Sequence, residues 1–178
     1  MRSSCLAPKA PGFASATERD AAGEAAQVIR EATVADRASV QRLYEILCPG
    51  EPVDVQADRI DQLIQNTNNY LFVYDDAGVI VGTAFLALCL DPMFGSRPFA
   101  VIENLVVDET AQGRGIGAQL FEHLERVCVD RHCSKIMLLS NVKRASGHAF
   151  FRRMGCDDTV AKGFKKYFDG HRPAYVSE

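Results

Sequence analysis

The chain has 178 residues, 47% of them hydrophobic and 24% charged, which suits one globular domain and excludes a fibre, a coiled coil or a wholly disordered chain. Lys and Arg number 20 and Asp and Glu 23, for a net charge of −3, so the basic face that nucleic-acid binding needs is not expected. No apolar run approaches the ~20 residues that span a bilayer, and neither nucleic acid nor membrane is an expected partner.

Residues 1–23 are rich in Ala, Ser, Pro and Gly without periodicity and are expected to be a flexible extension. A transit peptide is the weaker alternative, because Glu18 and Asp20 do not suit one. One domain is expected over residues 24–170, with a polar tail at 171–178. Ala26–Ala32 reads as a strand. Thr33 or Asp36 can cap a helix running to Leu47, with Val40, Leu43, Tyr44 and Leu47 on one stripe. A second helix is expected over Val55–Gln65. Tyr70–Tyr74 and Val79–Leu90 flank Asp75-Asp76-Ala77-Gly78 and form a hairpin. Phe99–Val107 is a strand, apolar except for Glu103 and Asn104. Gly115–His132 is an amphipathic helix, Lys135–Ser140 a buried strand, Ser146–Met154 a short helix and Phe164–Phe168 a final strand. The strand–helix–strand crossover from Phe99 to Ser140 implies one parallel pair in an otherwise antiparallel sheet. The expected class is α+β, with helices on both faces.

Six cysteines stand at 5, 48, 89, 128, 133 and 156, none in a Cys-x-x-Cys pair. With no secretory h-region, free thiols in a reducing cytosol are expected, and no metal. Cys128 and Cys133 share the predicted helix, offset by five positions, and so should diverge.

The sharpest motif is Gln112-Gly113-Arg114-Gly115-Ile116-Gly117, between a strand and a helix. Its glycines let the backbone approach a ligand. The helix start offers free N–H groups and a positive dipole end to a pyrophosphate, with Gln112 and Arg114 as side-chain donors. A P-loop is excluded, since no Gly-Lys-Ser/Thr follows. The dinucleotide fingerprint fails too: the third glycine comes one position early, and the next strand ends at Ser140-Asn141.

Ile102-Glu103-Asn104-Leu105-Val106-Val107-Asp108 followed by Gln112–Gly117 resembles the acetyl-CoA-binding core of the GNAT superfamily of N-acetyltransferases. Asn141 and Ala149-Phe150-Phe151, with Gly155 beyond, are similar to that family's downstream segment. The resemblance implies a splayed parallel strand pair and acetyl-CoA as co-substrate. Leu105, Val106 and Val107 would then line the pantetheine arm, and Gln112, Gly113, Arg114, Gly115, Ile116 and Gly117 would wrap the pyrophosphate. Asn141 would bond the arm, and the helix bearing Phe150 and Phe151 would flank it. Glu103 is the candidate base, able to take a proton from an ammonium of pKa ~10, with the oxyanion resting on the Val107 N–H. Its structural alternative is a rim carboxylate. Phe151 stands where many relatives carry a tyrosine acid, so leaving-group protonation by that residue is not expected. His148 reads as structural. Residues 141–144 with His148 also resemble bacterial aminoalkylphosphonate N-acetyltransferases, which hints at an anionic small amine. The expected function is acetyl transfer from acetyl-CoA to a primary amine of a small molecule, in the cytoplasm. A peptide acetyltransferase and a non-catalytic acetyl-CoA sensor are the alternatives, and a homodimer is left open.

Overall fold

A computed structural model describes residues 27–93 and 95–168; the expected extension and tail lie outside them. Five strands form one sheet in chain order: β1 (Gln27–Glu31), β2 (Asn69–Asp76), β3 (Val79–Cys89), β4 (Phe99–Val107) and β5 (Ile136–Leu138). The first three pairings are antiparallel and β4–β5 is parallel, as the crossover requires. The β2–β3 turn is Ala77-Gly78, with φ of 61° and 87°, the left-handed pair that a two-residue hairpin needs. Helices α1 (Arg37–Leu47) and α2 (Ala57–Gln65) cover one face, where Val40, Leu43 and Ile60 meet Leu71, Val73, Ile80 and Val106. Helix α3 (Ile116–Asp130) covers the other. Its Phe121, Leu124 and Val127 pack on Tyr70, Phe72, Leu86 and Ile102, and α4 (Ala145–Arg153) adds Phe150 and Phe151 to the same cluster.

Three expectations are corrected. The Lys135–Ser140 strand shrinks to three residues and is not buried, with Met137 48% and Leu139 43% exposed. The Phe164–Phe168 strand does not form. A Cβ at Gly163 would come within 2.3 Å of Leu139, and Phe164 is 90% exposed, so alternation here has no apolar surface to bury. Helix α3 also ends earlier than its periodicity suggests. His132 adopts φ of 54°, Cys133 N–H bonds the Cys128 carbonyl at 2.8 Å, and His132 N–H bonds Val129 at 2.9 Å. That paired pattern is a Schellman cap, and it folds Cys133 back onto Cys128 instead of letting the two diverge.

Candidate active site

Strand β4 carries the first part of the site. Phe85 pairs with Glu103 and Thr83 with Val106, so Ala84 alone faces both Asn104 and Leu105. This is a bulge on β4, with Asn104 at φ of 55°. The extra residue resets side-chain alternation. Ile102 and Leu105 both join the α3–α4 cluster, whereas Val106 joins the α1–α2 cluster. Glu103 lies opposite Phe85, which packs on the α1–α2 side, and directly opposed residues share a face. The residue as a whole is half-buried there.

The bulge also frees the backbone. Asp108 N–H bonds the Val81 carbonyl at 2.8 Å. The preceding antiparallel pair, Gly82 and Val107, is therefore the non-bonded kind, and the Val107 N–H and C=O turn away from β3. On that side β5 pairs only as far as Ile102↔Leu138. Among the described residues, β4 continues from Glu103 to Val107 without a strand neighbour there, opening a wedge beside Leu105 and Val107.

The glycine loop follows the wedge. Gly113 and Gly115 have φ of 78° and 80°, left-handed conformations that carry the chain round into α3. Gly115 is the N-cap residue, so the N–H groups of Ile116, Gly117 and the next residue have no intrahelical acceptor. Gly117 is helical; a Cβ there would sit 3.5 Å from the Phe150 ring and 3.8 Å from Val107 Cγ2. Wedge, helix start and α4 thus converge at this glycine. The two side-chain donors expected here are otherwise engaged. Arg114 pairs with Asp76 at 2.8 Å, and Gln112 Nε2 donates to the Val107 carbonyl at 3.2 Å. What the loop offers a ligand is chiefly main chain.

Across the wedge, Asn141 lies beyond the end of β5, in a turn rather than at a strand end. Its Oδ1 accepts from Lys143 N–H at 2.9 Å, leaving the amide NH₂ as donor. Its carbonyl accepts from Arg144 N–H at 2.9 Å and from His148 Nε2 at 2.9 Å, which fixes the imidazole as a strut of this turn. Phe151 sits in an aromatic cluster, its ring centroid 5.1 Å from Phe150 and 6.1 Å from Phe121. Among the described residues, no group of three or more His, Cys, Asp or Glu could hold a metal.

Two residues escaped the sequence reading. Tyr44 of α1 is hydrogen-bonded to the Asn104 side chain at the bulge, and burial pushes its phenol up to about 12 against that bond. Asn104 could have been noticed, since an asparagine inside an apolar strand often marks a left-handed residue. Tyr44 gave no such signal, because its stripe position reads as core.

The Acetyltransferase (GNAT) family model matches residues 40–156. The chain belongs to the GNAT acetyltransferase family. A glucosamine 6-phosphate N-acetyltransferase of Trypanosoma brucei brucei is 32% identical over 87 residues, a stretch that spans 48% of this chain and 56% of that protein. A putative acetyltransferase from Agrobacterium tumefaciens superimposes with a TM-score of 0.73 at 28% identity, over 79% of this chain and 99% of that one. The GNAT fold is likewise shared with AAC(6')-Iy in complex with a CoA-containing bisubstrate analogue, at a TM-score of 0.68 and 20% identity over 81% of this chain and 99% of that one.

Proposed function

We propose that this GNAT protein transfers acetyl from acetyl-CoA to a primary amine of a small molecule. The observation that carries the reading is the junction at Gly117, where the unpaired flank of β4, the uncapped start of α3 and the Phe150 ring meet. An amide-rich pantetheine arm suits the unpaired flank of β4 and the Asn141 amide, and a pyrophosphate suits the helix start. Glu103 faces the α1–α2 side of β4, opposite in phase to Leu105. In this reading the acceptor enters from the Glu103 side and the acetyl donor from the other. Glu103 takes the ammonium proton, directly or through water, and the Val107 N–H holds the carbonyl oxygen. The similarity to a glucosamine 6-phosphate N-acetyltransferase supports a small amine as acceptor.

The test is release of free thiol from acetyl-CoA over a panel of amines including glucosamine 6-phosphate and aminoglycosides, beside calorimetric titration with acetyl-CoA. Turnover with at least one amine is expected. Binding without thiol release would select the sensor reading, which Phe151 alone favours. Absence of both would overturn acetyl-CoA chemistry.

A further inference from the structure

The acceptor-side helix and the glycine loop are joined by one ion pair that the acetyl-transfer reading does not use. Asp108 opens the loop and caps its first turn, its Oδ1 accepting from Thr110 N–H at 2.9 Å and from Thr110 Oγ1 at 2.6 Å. Its Oδ2 pairs with Nη1 of Arg42, on α1. Arg42 is itself anchored, since Nη2 donates to the Ile80 carbonyl of β3 at 3.0 Å. The Asp108 side chain is 13% exposed and that of Arg42 45%, so solvent screens the pair in part. The Thr110 bonds first, and then Arg42, hold the Asp108 carboxyl down at about 2, so it stays charged at working pH.

On its other side, α1 reaches the acceptor half of the site. One residue before Arg42, Gln41 donates to the Val53 carbonyl at 2.8 Å and accepts from Val55 N–H at 2.7 Å. Two residues after it, Tyr44 meets Asn104 at the bulge. The segment before α2, helix α1, the bulge and the glycine loop are therefore connected through consecutive contacts about Arg42. We propose that Arg42 and Asp108 are positioning residues that pass occupancy of the glycine loop to α1, so that the acceptor wall is ordered when the acetyl donor is bound. The inference rests on the acetyl-CoA reading. Physically, a ligand that orders the loop has already met part of the cost of ordering whatever the loop holds.

Hydrogen exchange read by mass spectrometry tests this without knowledge of the amine. In the wild-type protein, saturating acetyl-CoA should slow exchange in peptides covering residues 108–118 and also in those covering 37–47. In Arg42→Leu and Asp108→Asn the loop should still respond while 37–47 does not, and acetyl-CoA should bind about threefold more weakly, as expected for a partly screened pair. The Asp108→Asn variant keeps a side-chain oxygen for Thr110, so loss of the cap is separated from loss of the charge. Arg42→Lys should restore the α1 response. Wild-type protection confined to the loop, or an α1 response undiminished in both variants, would overturn the proposal. A wild-type protein giving neither binding heat nor protection with acetyl-CoA would instead overturn the acetyl-transfer reading beneath it.

Discussion

Two alanine substitutions, two residues apart, should move stability in opposite directions. At Gly115 φ is 80° and an added Cβ would meet only Gln119 Nε2, at 3.9 Å. The cost is therefore all backbone strain, about 1–2 kcal/mol for a left-handed alanine. At Gly117 the backbone is helical, and the new Cβ would lie 3.5 and 3.7 Å from Phe150 and 3.8 Å from Val107, ordinary contact distances. There alanine should gain about 0.5–1 kcal/mol by lowering the entropy lost on folding. The two variants should differ by about 1.5–3 kcal/mol, or roughly 3–12 °C in Tm for a domain of this size. Acetyl-CoA affinity should fall in both, at Gly115 because the loop is strained and at Gly117 because the methyl enters the gap between β4, α3 and α4. Scanning calorimetry and isothermal titration would measure the two effects. If Gly117→Ala melts as early as Gly115→Ala, the Phe150 contact is tighter than its distance implies. If Gly117→Ala binds acetyl-CoA undiminished, the ligand does not pass through that gap.

Burial, with a smaller push from Arg126, lowers the pKa of His123 below its usual 6.5, so the unfolded state binds the extra proton first. Stability should be full above pH 6.5 and fall below it, and urea midpoints across pH should show that fall reduced in His123→Leu. Asp36, bonded to Arg30 at 2.8 and 2.9 Å, is held at about 2 against 3.8; its share of stability, about 2 kcal/mol, should be complete above pH 3.8 and lost towards pH 2. Asp36→Asn should lower stability at neutral pH by about 2–3 kcal/mol, read from the same midpoints. Glu103→Gln should cut turnover by ~10²-fold near neutral pH, recover as the amine loses its own proton, and leave acetyl-CoA affinity intact; an unchanged pH–rate profile would make Glu103 a rim carboxylate. Phe151→Tyr should keep Tm and acetyl-CoA affinity and give equal or higher turnover, whereas a large loss with an intact fold would show that the site needs an apolar wall there.

Much of the architecture was legible because it is written in local patterns. Alternation around Ala77-Gly78 announces the hairpin, and the stripe Ile116, Leu120, Leu124 and Val127 announces α3. The glycine loop could be read because two of its glycines are needed for left-handed backbone. What was missed depends on neighbours distant in sequence. Phe164–Phe168 has strand-like composition, but a strand needs a partner, and β5 offers only three residues. Arg42 and Asp108 are 66 positions apart, and nothing in either segment names the other. Gln112 and Arg114 were legible as loop residues; their engagement by the Val107 carbonyl and by Asp76 was not. The cap that returns Cys133 to Cys128 turns on His132, a residue whose left-handed conformation a helical stripe does not foretell.

The bulge at Asn104 gives β4 a reading frame that changes partway along its length. Upstream, Ile102 points to α3; downstream, Leu105 and Val107 point the same way, although plain alternation from Ile102 would send them to opposite sides of the sheet from it. Straightening the bulge with Asn104 kept in line would act like a frameshift in space. The strand would become regular, Leu105 and Val107 would swing towards α1, and Val106 would be driven from the α1–α2 core into the opposite layer. Each of these residues is apolar, so their composition on β4 would be unchanged while the two halves of the cleft exchanged linings. The one residue that this strand leaves out of register is therefore as much a part of the site as any side chain in it.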